Sequence, residues 1–145
     1  LVLNNISDVR NFGAIARSAE CFGVDCIIIP EKGAARINAE AVKTSAGALS
    51  RIPVSRVKSI TKAISFLKES GLKIMSASEK GDERVRFTDL AGPSALVMGS
   101  EARGLSPELL DLTDIHLTIP MAGSIDSLNV SVAAGILLYE IANSR

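Results

Sequence analysis

Five residues of this chain have types and placement suited to chemistry on a polar or anionic ligand: Asn11, Arg17, Glu101, Ser127 and Asn129. Ser127 has no evident base partner, so it does not read as a covalent nucleophile; its other reading is a helix cap. Arg17 follows Asn11 by six residues, about 600° of helical rotation, so the two do not share one face unless Asn11 stands at or before the cap. An arginine in an otherwise apolar helix needs a partner. A salt bridge to Glu20 or Asp8 would supply one; so would an anion gripped by the guanidinium fork. Glu101 stands in "GSEARG", where Gly99 and Gly104 serve either turn geometry or close backbone approach to a ligand. Together these residues describe a polar site on strand-end loops, suited to a small molecule and an anionic partner.

The elements that must carry them follow from the hydrophobic pattern. "LVLNNI", "CIIIP", "IPVSRV", "LKIMSAS", "SALVMG" and "IHLTIP" read as strands. Helices are expected over residues 11–22, 38–50, 60–70 and 106–112, with Ser59 and Ser106 as caps, Pro107 at a first helical position and Gly23 and Gly71 as stops. A last helix is expected from near Ser127 to Asn143. "EKGDERVRF" reads as a charged surface excursion. Continuously apolar strands alternating with helices specify an α/β domain, a mostly parallel sheet flanked by helices. Ligands of such sheets sit beyond the carboxyl ends of the strands, where "NNISDVRNFG", "SASEKG", "GSEARG" and "PMAGSIDSLN" all fall.

The chain of 145 residues reads as one domain, and its abrupt apolar start as a fragment of a longer protein. No apolar run has the length of a membrane span and no signal peptide opens the chain, so a cytoplasmic protein is expected. Cys21 and Cys26 are expected as buried reduced thiols, and His116 as a packed core histidine; a metal site would need more ligands. Net charge is zero, yet Lys32 to Lys73 holds nine basic residues against Glu40 and Glu69, whereas Ile74 onward holds five basic and ten acidic. That segregation is either an ordinary solvated face or a basic surface for a polyanion. With no Trp, one Tyr and four Phe, stacking on an aromatic platform is not the main mode of binding. Neither the dinucleotide nor the P-loop glycine fingerprint occurs, and no G-x-S-x-G elbow.

Three stretches nevertheless match one family in order and spacing: "NISDVRNFGAIARSAECFG", "LVMGSEARGLSPELLDLTD" and "IPMAGSIDSLNVSVAAGILLYE". The chain resembles the SpoU (TrmH-like) RNA ribose 2′-O-methyltransferases of the SPOUT superfamily over almost its entire length. It departs from the first motif at Val9, where proline is usual, and at Ser18, where threonine is usual. Loss of the rigid turn at Val9 is expected to loosen the loop that carries Asn11.

The resemblance implies a carboxyl-terminal deep trefoil knot and S-adenosylmethionine as methyl donor. It places cofactor contacts at Ser76, Ala77, Gly99, Ile119, Met121, Ser127 and Leu128, and Asn11, Arg17, Glu101, Ser127 and Asn129 in the catalytic site, with no metal. It also implies structured tRNA or rRNA as substrate and a homodimer, with residues 1–145 a catalytic domain lacking a separate amino-terminal RNA-binding domain. The apolar last helix, with Val130, Ala133, Ala134, Leu137, Leu138 and Ile141, would then serve both a core and a partner subunit. The rival reading is a non-catalytic RNA-binding or scaffold dimer on the same fold.

Overall fold

The computed structural model describes residues 1–78, 83–84 (backbone only), 89–100, 102–125 and 127–144. The charged excursion at 79–87 and Glu101 thus lie largely or wholly outside the described residues. The strands are β1 (Val2–Leu3), β2 (Ile27–Pro30), β3 (Val54–Val57), β4 (Lys73–Ala77), β5 (Glu83–Arg84), β6 (Ser94–Met98) and β7 (Ile115–Thr118). The helices are α1 (Val9–Cys21), α2 (Ala39–Thr44), α3 (Ile60–Glu69), α4 (Pro107–Asp111) and α5 (Val130–Asn143), with a 3₁₀ turn at Ala48–Ser50. All strands pair in parallel, in the order β3-β2-β1-β6-β4-β7-β5.

The two-residue period of each strand feeds two cores. Leu3, Met75 and Leu96 face one side, where α1 and α5 pack through Ile15, Ala16, Ala134 and Leu137. Val2, Ile74 and Val97 face the other, against Ile60 and Ile64 of α3 and Leu109 of α4. Both faces of the sheet are therefore covered, as expected of a parallel sheet.

Four boundaries differ from the sequence reading, each for a local reason. The first strand stops at Leu3 because Asn5 takes a left-handed φ of 59° and turns the chain out. The second helix stops at Thr44. The buried Ser45 hydroxyl donates to the Val42 carbonyl at 2.8 Å, and Ala46 and Gly47 then take φ of 50° and 85°. The first helix begins at Val9, capped by Asp8, whose Oδ1 accepts from the Asn11 amide at 2.8 Å. Val9 is thus the first helical residue, the place where proline is tolerated because no N–H partner is needed. Asn11 lies inside the helix, and no loosened loop carries it. The last helix begins at Val130 rather than near Ser127, because Asn129 is the cap. Cys21 is exposed and Cys26 half-buried, both free thiols, so the expectation of buried cysteines fails.

Candidate functional site

A cavity of about 800 Å³ opens at the carboxyl ends of β4, β6 and β7. Ala77 and Ser78 leave β4 into it, Met98, Gly99 and Ser100 leave β6, and Leu117 to Met121 leave β7. The loop Ala102–Leu105 forms one wall, and Leu128, Val130, Ala133 and Leu137 form the wall at the start of α5. Its size is that of pockets which enclose a cofactor-sized ligand, and its lining mixes apolar side chains with loop backbone.

Five of the seven expected cofactor positions line this cavity: Ala77, Gly99, Ile119, Met121 and Leu128. Ser76 does not; it is fully buried, with Oγ 2.8 Å from His116 Nδ1. Ser127 is exposed and outside the lining, and it caps no helix. Ser100, Arg103 and Thr118 line the cavity without having been expected there. Ser100 and Arg103 belong to the quoted "GSEARG" stretch, but nothing in their types set them apart from loop residues.

The glycines of that stretch have a structural cause. Ser100 and Gly104 form an isolated antiparallel bridge, with the Gly104 amide donating to the Ser100 carbonyl at 2.8 Å. A Cβ at Gly99 would collide with the Gly104 carbonyl group and reach within 2.8 Å of the Leu105 nitrogen. The loop closes on itself at Gly99, and only a residue without a side chain permits that.

Asn129 sits between Leu128 and Val130, both cavity-lining, and so marks the rim. Its Oδ1 accepts from the amides of Ser131 (3.0 Å) and Val132 (3.4 Å) and from the Ser131 hydroxyl (2.5 Å). Its Nδ2 donates to Asn11 Oδ1 at 2.9 Å. The two asparagines, 118 residues apart, are thereby fixed in orientation: Asn11 Oδ1 is occupied and its NH₂ group is directed to other acceptors. Ser131 completes this relay; its role as a partner of Asn129 was not legible beforehand, although a serine two residues past an asparagine cap is the signal that could have found it.

Arg17 is exposed rather than on the apolar side of α1. It shares a helix stripe with Arg10, Gly13 and Glu20. Arg10 Nε donates to Glu40 at 2.9 Å, Gly13 packs on α2, and Glu20 meets Arg51 at 3.8 Å. Neither Asp8 nor Glu20 takes the Arg17 guanidinium, and no ion pair joins it to another described residue. It is not part of the cavity lining.

His116 is half-buried and hydrogen-bonded rather than purely packed. Its Nδ1 lies 2.8 Å from Ser76 Oγ and 3.1 Å from Thr113 Oγ1, while the Thr113 hydroxyl donates to the Leu110 carbonyl at 2.8 Å. The Ser76–His116 pair resembles an activated serine only on paper, because Ser76 has no exposed surface for a substrate to meet. Among the described residues no group of three or more His, Cys, Asp or Glu could hold a metal.

Residues 1–139 match the model of the SpoU rRNA Methylase family. An uncharacterized tRNA/rRNA methyltransferase of Mycolicibacterium vanbaalenii is 45% identical over the whole chain, which covers 46% of that relative. The chain thus spans about half the length of the curated relatives it matches. The SpoU methyltransferase AviRb of Streptomyces viridochromogenes, solved with the cofactor AdoMet, superposes with a TM-score of 0.89 at 32% identity, over 98% of this chain and 58% of that one. An AdoMet-bound rRNA methyltransferase of Sinorhizobium meliloti gives 0.91 at 30% identity, over 98% and 54%.

Proposed function

The chain belongs to the SpoU rRNA Methylase family, and from that premise we propose that it transfers a methyl group from S-adenosylmethionine to a ribose 2′-hydroxyl of tRNA or rRNA. One observation carries this reading: a cavity of about 800 Å³ at the strand ends with the fixed Asn11–Asn129 pair on its rim. The cavity fits the cofactor in kind. Ile119 and Leu128 offer apolar surface, and the Gly99–Gly104 loop, which has no side chain at either of its closing glycines, offers backbone N–H and C=O groups beside it. Ala77, Gly99, Ile119, Met121 and Leu128 would hold it, with Ser127 in the adjoining loop.

S-adenosylmethionine supplies an already activated methyl on a sulfonium. The chain's task is to hold the acceptor hydroxyl in line and to ease loss of its proton. Asn11 directs its NH₂ toward an acceptor, a ribose or phosphate oxygen. Arg17, exposed and without an ionic partner among the described residues, grips a phosphate and stabilises negative charge developing on the attacking oxygen. A guanidinium suits an electrostatic role rather than that of a general base. Glu101 belongs to the same proposed site as a group that holds Arg17 or substrate.

The same reading includes a knotted carboxyl-terminal segment, a homodimer and a catalytic domain that works with an amino-terminal RNA-binding domain. For the dimer, the described structure shifts the surface expected from the sequence. Val130, Ala134, Leu137, Leu138 and Ile141 are consumed by this chain's own core. The outward apolar residues of α5 are Val132 (48% exposed) and Tyr139 (52%), the latter edge-on to Phe22 at 5.9 Å.

The test is single-turnover methylation of RNA beside titration with S-adenosylmethionine, for the parent and Arg17→Lys. Turnover should fall about two to three orders of magnitude in Arg17→Lys, as when one preorganised donor is removed, with cofactor affinity unchanged. Near-parental turnover would remove the guanidinium fork from the mechanism. A parent that binds no S-adenosylmethionine would leave the non-catalytic RNA-binding reading in its place.

A further inference from the structure

The carboxyl edge of the sheet has a second half that the cavity does not use. There β3, β2 and β1 end beside one another, and the segment from 31 to 38 runs along their tips. The Glu31 amide donates to the Val57 carbonyl at 2.9 Å, so Lys32 and Lys58 leave the sheet side by side. Gly33, at φ 80°, lies against Asn5, whose Oδ1 would be 2.7 Å from a Cβ there. The Ala35 amide donates to the Ile6 carbonyl at 2.8 Å, and Arg56 Nη2 donates to the Ala35 carbonyl at 3.2 Å. Asn38 then caps α2, and Glu40 takes Arg10. This segment is thus fastened at each end and leads from the outer edge of the sheet to the amino-terminal turn of α1, where Asn11 meets Asn129.

Its exposed charges are mostly positive, with Glu31 the exception. Lys32, Arg36, Arg56 and Lys58 are exposed. No ion pair engages any of the four among the described residues. Between residues 31 and 58 there are six basic residues and only two carboxylates, Glu31 and Glu40, and Glu40 is already held by Arg10. Asp8, the other nearby carboxylate, is committed to the cap of α1. Exposed cations that no described carboxylate engages, along a fastened edge, suit a polyanion rather than internal stability.

We propose that this strip is an RNA track: Lys32, Arg36 and Lys58 contact successive phosphates of the strand whose ribose reaches the Asn11–Asn129 rim. The inference rests on the RNA reading above and adds the direction in which the substrate lies. From β3 to β6 there are three strand steps of about 4.8 Å each, so the contacted phosphates belong to nucleotides a few positions away from the modified one. Contacts of this kind carry affinity and register but no base information.

The experiment uses the whole chain and a short fluorescein-labelled single-stranded RNA of mixed sequence, titrated between about 50 and 200 mM salt. Each of Lys32→Gln, Arg36→Gln and Lys58→Gln should flatten the slope of log affinity against log salt by about 0.7, and the triple variant by about 2. Arg51→Gln, at the amino edge of the sheet beside Glu20, should leave the slope unchanged. Equal slopes for the parent and the triple variant would overturn the track, as would a parent that does not bind the RNA at low salt. S-adenosylmethionine titration of the same variants separates the two claims. Lost cofactor binding in the parent, with the salt slopes behaving as stated, removes the methyltransferase reading and leaves the track standing.

Discussion

The two halves of the carboxyl edge of the sheet solve opposite problems. Across β6, β4 and β7 the chain encloses space: glycine at 99, a bridge from Ser100 to Gly104, and the first turns of α5 shape a cavity. Across β3, β2 and β1 that cavity does not extend, and four cations stand exposed, two on the fastened segment and two at the end of β3. A small ligand is held by concave, preformed surface, so the first half is sensitive to shape. A polyanion is held by charge in water, so the second half is sensitive to salt and tolerant of shape. Asn11 and Asn129 stand at the join, where the proposed reaction would bring ribose and methyl donor together.

The largest expected effect tests the shape-limited half. Gly99→Val drives a side chain into the backbone of Gly104 and Leu105, and backbone cannot move aside as a flexible side chain can. We expect a loss of about 3 kcal/mol in stability together with loss of S-adenosylmethionine binding, read by thermal unfolding and titration. Parental stability would show that the loop reopens at little cost and that the cavity half is less rigid than its geometry implies.

The join itself gives a middle-sized effect. Asn129→Asp keeps an oxygen to cap α5 but removes the Nδ2 that donates to Asn11. Because aspartate caps as well as asparagine, stability should stay within about 0.5 kcal/mol. Single-turnover methylation should fall about fivefold, as expected for one lost hydrogen bond of about 1 kcal/mol. An equal fall in stability and turnover would make the pair a structural tie only.

The smallest effect lies beneath the sheet. The Lys68 ammonium hydrogen-bonded to Asp114, then the Ile74 amide, holds the Asp114 carboxyl below its ordinary range. A depressed carboxylate contributes stability that is present above its unfolded pKa of about 3.9 and is lost as pH falls through the lower, folded value. Asp114→Asn should therefore flatten the acid limb of a stability-versus-pH curve while leaving both halves of the upper edge in place. The pair is partly exposed, so the change should be slight and should shrink in salt. An unchanged acid limb would place the acid sensitivity elsewhere.

The alternation of apolar strands and helices and the caps at Ser59 and Ser106 were legible in the sequence, because each depends on neighbours a few residues apart; the parallel sheet was legible because strands apolar on both faces need helices on both sides. So were four positions of the cavity lining, Gly99, Ile119, Met121 and Leu128, through motifs of fixed order and spacing, and Ala77 through its place at a strand end. Three matters belonged to the tertiary structure alone. Arg17 is exposed on the stripe of α1 that, four residues earlier at Gly13, packs against the α2 backbone. Gly99 is tied to Gly104 by a closure that periodicity does not encode. Asn129 reaches Asn11 only because α5 packs on α1 across the face of β1 and β6. Local pattern is set by rotation and rise along one element; contacts between residues 118 apart depend on how crossovers order the strands, and that order is decided by burying two faces of one sheet at once.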